Sequence, residues 1–159
     1  MVRDDLFPGG TKARFAGQLF DGAGEVVYAS PAEGGAQTAL AIVAQQLERR
    51  ATIFVAKRKT AHARTLMAKA HGAKIYQVSP GYLSVVQARA RAYCAANGAH
   101  LAPFGFDLPW AIGAIAEGAQ ATGEAPEEVW CAGGRGPWRA GLPRRGPWRG
   151  LMWSRSVRI

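Results

Sequence analysis

Thr52-Ile53-Phe54-Val55-Ala56, a helix-forming run over about Ala61–His71, Gly72, and then Lys74-Ile75-Tyr76-Gln77-Val78 make one strand–helix–strand unit. The two apolar runs are short and rich in branched and aromatic residues, which suits buried strands. The run between them stops at a glycine, the usual residue just past a helix end. Working toward the amino end, Glu25-Val26-Val27-Tyr28-Ala29 reads as another strand. A helix over about Gln37–Arg49 follows it, with Leu40, Val43 and Leu47 on one face. Working toward the carboxyl end, Ser79-Pro80-Gly81 turns the chain and a helix runs from about Leu83 to Asn97-Gly98. A short apolar piece, Ala99–Ala102, precedes the loop Pro103–Pro109; a helix over about Trp110–Thr122 and a strand Glu128–Ala132 come next. Strands separated by helices predict an α/β fold, a parallel sheet with helices on both faces. Ligands in such sheets bind beyond the carboxyl ends of the strands. Here that rim is Ser30–Gln37, Lys57–Thr60 and Gly133–Gly136.

Composition narrows the function classes. The chain has 159 residues, two cysteines and a net charge of +9. Residues 1–132 hold 13 Lys and Arg against all 11 acids, whereas residues 133–159 hold seven Arg and no acid. The basic character therefore belongs to the tail and not to the body. Of residues 133–159, 19 are Gly, Arg, Pro or Trp, a composition that forbids a regular helix. The sequence divides into an α/β domain over 1–134 and an irregular tail over 135–159. No apolar run approaches the roughly eighteen residues of a membrane span, and no basic-then-apolar leader opens the chain. Cys94 and Cys131 stand 37 positions apart, neither a disulfide framework nor a zinc spacing. A reducing cytoplasm and no metal are the expectation. His62 and His71 read as solvated or capping groups, and Lys57-Arg58-Lys59 as a solvated rim.

The string Arg3-Asp4-Asp5-Leu6-Phe7-Pro8-Gly9-Gly10-Thr11-Lys12-Ala13-Arg14 carries the clearest chemistry. Pro-Gly-Gly makes a turn, and Thr11 is placed to cap a helix beginning near Lys12. A lysine in a first helical turn meets the positive end of the dipole, which lowers its pKa and suits imine chemistry.

This string resembles the signature of pyridoxal-phosphate enzymes of the tryptophan synthase β-like fold, nearest to the D-cysteine desulfhydrase and aminocyclopropanecarboxylate deaminase branch. The similarity continues at Gly34-Gly35-Ala36-Gln37 and at Arg64-x-Leu-Met-Ala-Lys-Ala-His-Gly-Ala-Lys, and runs to about residue 134. The resemblance implies an incomplete fold of that kind. It implies pyridoxal 5'-phosphate as cofactor and Lys12 as the Schiff-base and proton-shuttling lysine. It places the phosphate at Gly133, Gly134, Arg135 and Gly136. It places a small amino-acid substrate at Ser30, Gly34, Gly35, Gln37 and Thr38. The reaction implied is lyase- or deaminase-type, with no membrane partner and a homodimer left open. The chain departs from the pattern in having Thr11 for asparagine, Thr38-Ala39-Leu40 after Gln37, and Arg135-Gly136-Pro137 in the phosphate loop. It also stops short of the family's remaining sheet strands, so a truncated, inactive fragment is one outcome, with the tail drawn from a shifted reading frame. The alternative is a polyanion- or nucleic-acid-binding module working through the Arg/Trp tail. Nucleic acid is the less favoured partner, because the body is nearly neutral.

Overall fold

The computed structural model describes residues 6–120, 130–132 and 156–158. Two compact units divide the chain, one ending at Phe106 and the other beginning at Asp107.

The first unit is a four-stranded sheet of β1 (Glu25–Ala29), β2 (Arg50–Ala56), β3 (Lys74–Val78) and β4 (His100–Leu101). All pairings are parallel and the spatial order is β3-β2-β1-β4. Three helices connect them: α1 (Gly35–Gln46), α2 (Ala63–Ala70) and α3 (Leu83–Asn97). The expected α/β architecture is the one observed. Side chains alternate across the sheet. Val27, Ala29 and Phe54 meet Val86 and Ala90 of α3 in one core. Val26, Tyr28, Ile53 and Val55 take the other face and are as deeply buried. All five residues of β1 are buried, as a central parallel strand requires.

Several boundaries differ from expectation, each for a local reason. α1 starts at Gly35 and ends at Gln46, and its residues Ala36–Ala44 are buried all round. An apolar helix covered on every side needs no single wet face. Leu47, expected on the buried stripe, is 46% exposed, because the helix has already ended and Glu48 turns left-handed at φ 52°. α2 is shorter than expected because His62 caps it, its Nδ1 accepting the Arg64 N–H at 3.2 Å. His71 Nδ1 lies 2.8 Å from Gln45 Oε1. Ala99–Ala102, expected only as an apolar piece, contains β4, which adds a fourth parallel strand beside β1.

The helix expected near Lys12 is instead a four-residue 3-10 turn, Thr11–Arg14, followed by a second, Ala16–Phe20. Gly10 stands at the cap position at φ 64°, and no side chain caps the turn. Thr11 is thus the first residue of the turn and not its cap.

In the second unit, α4 spans Pro109–Gln120. The strand expected at Glu128–Ala132 is described as β5, Trp130–Ala132. It pairs antiparallel with β6, Ser156–Arg158, and does not extend the parallel ladder. The tail expected to be irregular therefore contributes one strand.

A buried acid sits at the amino ends of the strands. Glu25 is 7% exposed, and its Oε1 accepts from Thr52 Oγ1 at 2.6 Å and from Tyr93 Oη at 3.0 Å. Its Oε2 lies 3.4 Å from the Arg50 guanidinium. Tyr93 also packs against Tyr76 and Phe54, which stack with centroids 4.9 Å apart. Removing the carboxylate leaves the Thr52 hydroxyl buried without an acceptor. Glu25→Ala should therefore cost about 2–3 kcal/mol in urea unfolding. Arg50→Ala, which removes only an exposed guanidinium from the pair, should cost under about 1 kcal/mol.

Candidate functional site

The strand order puts a reversal between β1 and β4: the chain leaves β1 toward β2 and β3, then α3 carries it back to β4 on the other side. Open parallel sheets bind ligands beside such a reversal, at the carboxyl ends. Two segments of the first unit meet that description: the loop Ser30–Gly34 with the start of α1, and the stretch after β4; the Lys12 turn lies against α1.

The Lys12 turn is seated on α1. Gly9 has φ 81°, and a Cβ placed there would lie 3.1 Å from Ala39 Cα and 2.9 Å from Ala13 Cβ. Only a residue with no side chain lets the turn come this close. Gly10 N–H closes it by donating to the Phe7 carbonyl at 2.7 Å, and the Arg14 guanidinium lies over the Phe7 ring at 4.9 Å. Behind the lysine, Phe15 is buried and meets Phe106 edge-on at 6.4 Å, and Phe106 in turn meets Tyr28 at 5.2 Å. The Tyr28 hydroxyl accepts the Gly105 N–H at 3.2 Å, tying the end of β1 to the chain beyond β4. Lys12 itself is half-buried, and loss of hydration lowers its pKa from the ordinary 10.5. The cause is burial, whereas the sequence suggested a helix dipole. The consequence is the same, a larger fraction of free amine.

The loop after β1 turns its carbonyls inward. Ser30 is fully buried; its N–H donates to the Phe54 carbonyl at 2.9 Å and its Oγ to the Pro31 carbonyl at 2.8 Å. Gly34 N–H also donates to the Pro31 carbonyl, at 2.9 Å. Gln37 is fully buried, and its Nε2 donates to the Ala32 carbonyl at 2.8 Å. Thr38 Oγ1 donates to the Arg64 carbonyl at 3.3 Å. Gln37 and Thr38 thus direct their polar atoms into the loop and toward α2. Gly34 and Gly35 are the bare surface: Ser30 Oγ lies 2.7 Å from where a Gly34 Cβ would be, and Arg64 Nη1 lies 2.8 Å from the Gly35 position. The first N–H groups of α1 have no partner within the helix, and a guanidinium stands beside them.

Charge on this rim favours anions. Lys57, Arg58 and Lys59 are exposed, and Arg58 pairs with Glu33 at 3.4 Å. Gly133, Gly134, Arg135 and Gly136 lie outside the described residues. Beside the end of β4, a cavity of about 140 Å³ is lined by Ala29, Leu101, Ala102, Pro103 and Phe104, with Gln87 and Arg91 of α3. It is smaller than the roughly 300 Å³ of a cofactor pocket and fits only a small group. Among the described residues no His, Cys, Asp or Glu cluster could hold a metal, and no helix is long and apolar enough to cross a membrane. Burial raises the Cys94 thiol pKa, as suits an inert core cysteine.

Thr65, Tyr28 and Phe106 are absent from the sequence reading of the site. The only signal for Thr65 was its spacing of three from Ala68, the two buried residues of α2.

No family model and no curated protein matches the sequence. Solved structures do. A threonine deaminase from T.th. superposes with a TM-score of 0.62 at 22% identity, over 77% of this chain and 39% of that one. Maize serine racemase gives 0.58 at 17% identity, over 76% and 36%. A pyridoxal 5'-phosphate-dependent aspartate racemase gives 0.56 at 17% identity, over 74% and 37%. The chain spans about two fifths of the length of these structures. Within that span its parallel sheet and covering helices are those of a partial tryptophan synthase β-like fold, the α/β arrangement it shares with these enzymes.

Proposed function

We propose that the chain is part of a pyridoxal-phosphate-dependent enzyme acting on a small amino acid by lyase or deaminase chemistry, with Lys12 as the Schiff-base lysine. The observation that carries the reading is Lys12 itself: half-buried, lowered in pKa, and fixed on a turn that touches the amino half of α1. The residues present fit the aldehyde end of the cofactor. A half-buried lysine stands on a turn against α1, and two glycines leave the neighbouring loop's backbone without side chains of its own. When bound, the cofactor supplies an electron sink for negative charge beside the amino-acid nitrogen. Lys12 would anchor it covalently and then move a proton at Nζ. The loop Ser30, Gly34, Gly35, Gln37 and Thr38 would receive the substrate carboxylate. In this reading Gly34 and Gly35 present the backbone, while Ser30, Gln37 and Thr38 hold its shape. Arg64 adds a positive charge at Gly35. The branch nearest D-cysteine desulfhydrase and aminocyclopropanecarboxylate deaminase is proposed on the motif around Lys12. The phosphate is proposed at Gly133–Gly136.

The test is direct. Adding pyridoxal phosphate should produce a visible absorbance band, and borohydride reduction should leave the cofactor's mass on the Lys12 peptide. Lys12→Ala should abolish both. Labelling spread over Lys57, Lys59 and Lys69 with Lys12 unmodified would overturn the reading. The arginine-rich tail as a polyanion-binding segment is the competing proposal; it requires affinity that falls steeply with salt and disappears on deleting residues 135–159.

A further inference from the structure

Resting on the reading just given, we propose that Thr65, on α2, is a positioning residue for the substrate-facing loop. It sets the direction of the loop's peptide groups without touching substrate. Thr65 is 5% exposed, and its Oγ1 lies 3.1 Å from Gln37 Oε1 and 3.4 Å from the Ala32 carbonyl. A hydroxyl has one proton to give. The shorter contact assigns it to Gln37 Oε1. That contact orients the Gln37 amide, because its oxygen must then face α2 and its NH₂ must face the loop. The NH₂ has two protons, and two carbonyls stand before it: Ala32 at 2.8 Å and Pro31 at 3.4 Å. With the amide reversed, its oxygen would confront those carbonyl oxygens in a fully buried position, a repulsive arrangement.

The Pro31 and Ala32 carbonyls fix where the Gln37 NH₂ goes, but as acceptors they leave its buried oxygen without a donor. The donor that satisfies its oxygen comes from a different helix, 28 residues along the chain. Thr38 repeats the device one residue on, its Oγ1 bonding to the Arg64 carbonyl. The loop and the start of α1 are therefore fastened to the start of α2 at two adjacent positions. With the Pro31 and Ala32 carbonyls held inward, the first N–H groups of α1, which the helix itself does not bond, are left to face a carboxylate.

Two measurements on the cofactor-loaded full chain test this, using Thr65→Val, which keeps the shape, and Thr65→Ser, which keeps the hydroxyl. First, exchange of the Gln37 side-chain NH₂ protons, read by NMR without ligand, should be slow in the parent and in Thr65→Ser. It should be at least about tenfold faster in Thr65→Val. Second, acetate, as a carboxylate probe, should move the Gly34 and Gly35 amide resonances. Its affinity should fall about tenfold in Thr65→Val and stay within about twofold in Thr65→Ser. Equal exchange and equal affinity in Thr65→Val would overturn the proposal, as would a Thr65→Ser variant as impaired as Thr65→Val. Failure of acetate to move either glycine in the parent would also overturn it. The Lys12 labelling result stands apart from all of these, so the cofactor reading can survive the loss of this one.

Discussion

Gly9→Ala should cost about 2–4 kcal/mol in urea unfolding and reduce cofactor labelling of Lys12 at least tenfold. Two terms add. The backbone at φ 81° is one that L-residues adopt only at a cost of about 1–2 kcal/mol. The new methyl would stand 2.9 Å from Ala13 Cβ and 3.1 Å from Ala39 Cα, and Ala39 is fully buried in α1. A main-chain atom in a packed helix cannot swing aside, so the turn must lift, taking Lys12 three residues on with it. Gly22 separates the terms. Its φ is 72°, but nothing lies within 4 Å of the position of its Cβ. Gly22→Ala should cost about 1 kcal/mol and leave Lys12 labelling unchanged. Equal losses in the two variants would refute the packing account.

Phe106→Ala should be the most destabilising single truncation of the aromatic seam, about 3–5 kcal/mol. The ring is fully buried and meets both Phe15 and Tyr28 edge-on. Its backbone is held left-handed at φ 58°, a cost that the ring's burial offsets in the parent and that alanine still bears without it. Phe106→Gly should therefore recover about 1 kcal/mol relative to Phe106→Ala, although it removes the same ring. If the glycine variant is the less stable of the two, the backbone at 106 is not strained.

The strands were the most readable part of the molecule. β1 and β3 run over the residues that the apolar runs mark, and β2 starts two residues early because Arg50 can ladder with its side chain in water. Their pattern is local, and a five-residue run of branched and aromatic side chains contains nearly all the information. β4 was not readable. It is two residues long, and its partner β1 lies more than seventy residues back, so nothing near it in the chain marks it as a strand. Leu47 kept the helical spacing after the helix had ended, a case where periodicity outlasts the hydrogen bonds that justify it. At the candidate site, Lys12 is put forward because a string of neighbouring residues accompanies it, whereas nothing beside Thr65 points to its partners Ala32 and Gln37, 33 and 28 residues away.

The carboxylate of Glu25 is fastened at the opposite end of the sheet from the loops proposed to carry the chemistry. Its partners Thr52 and Tyr93 belong to β2 and α3, so one acid staples the frame from beneath. Such a division of labour makes the fold evolvable. Drift in the upper loops can alter what the protein accepts while the staple below keeps the scaffold intact.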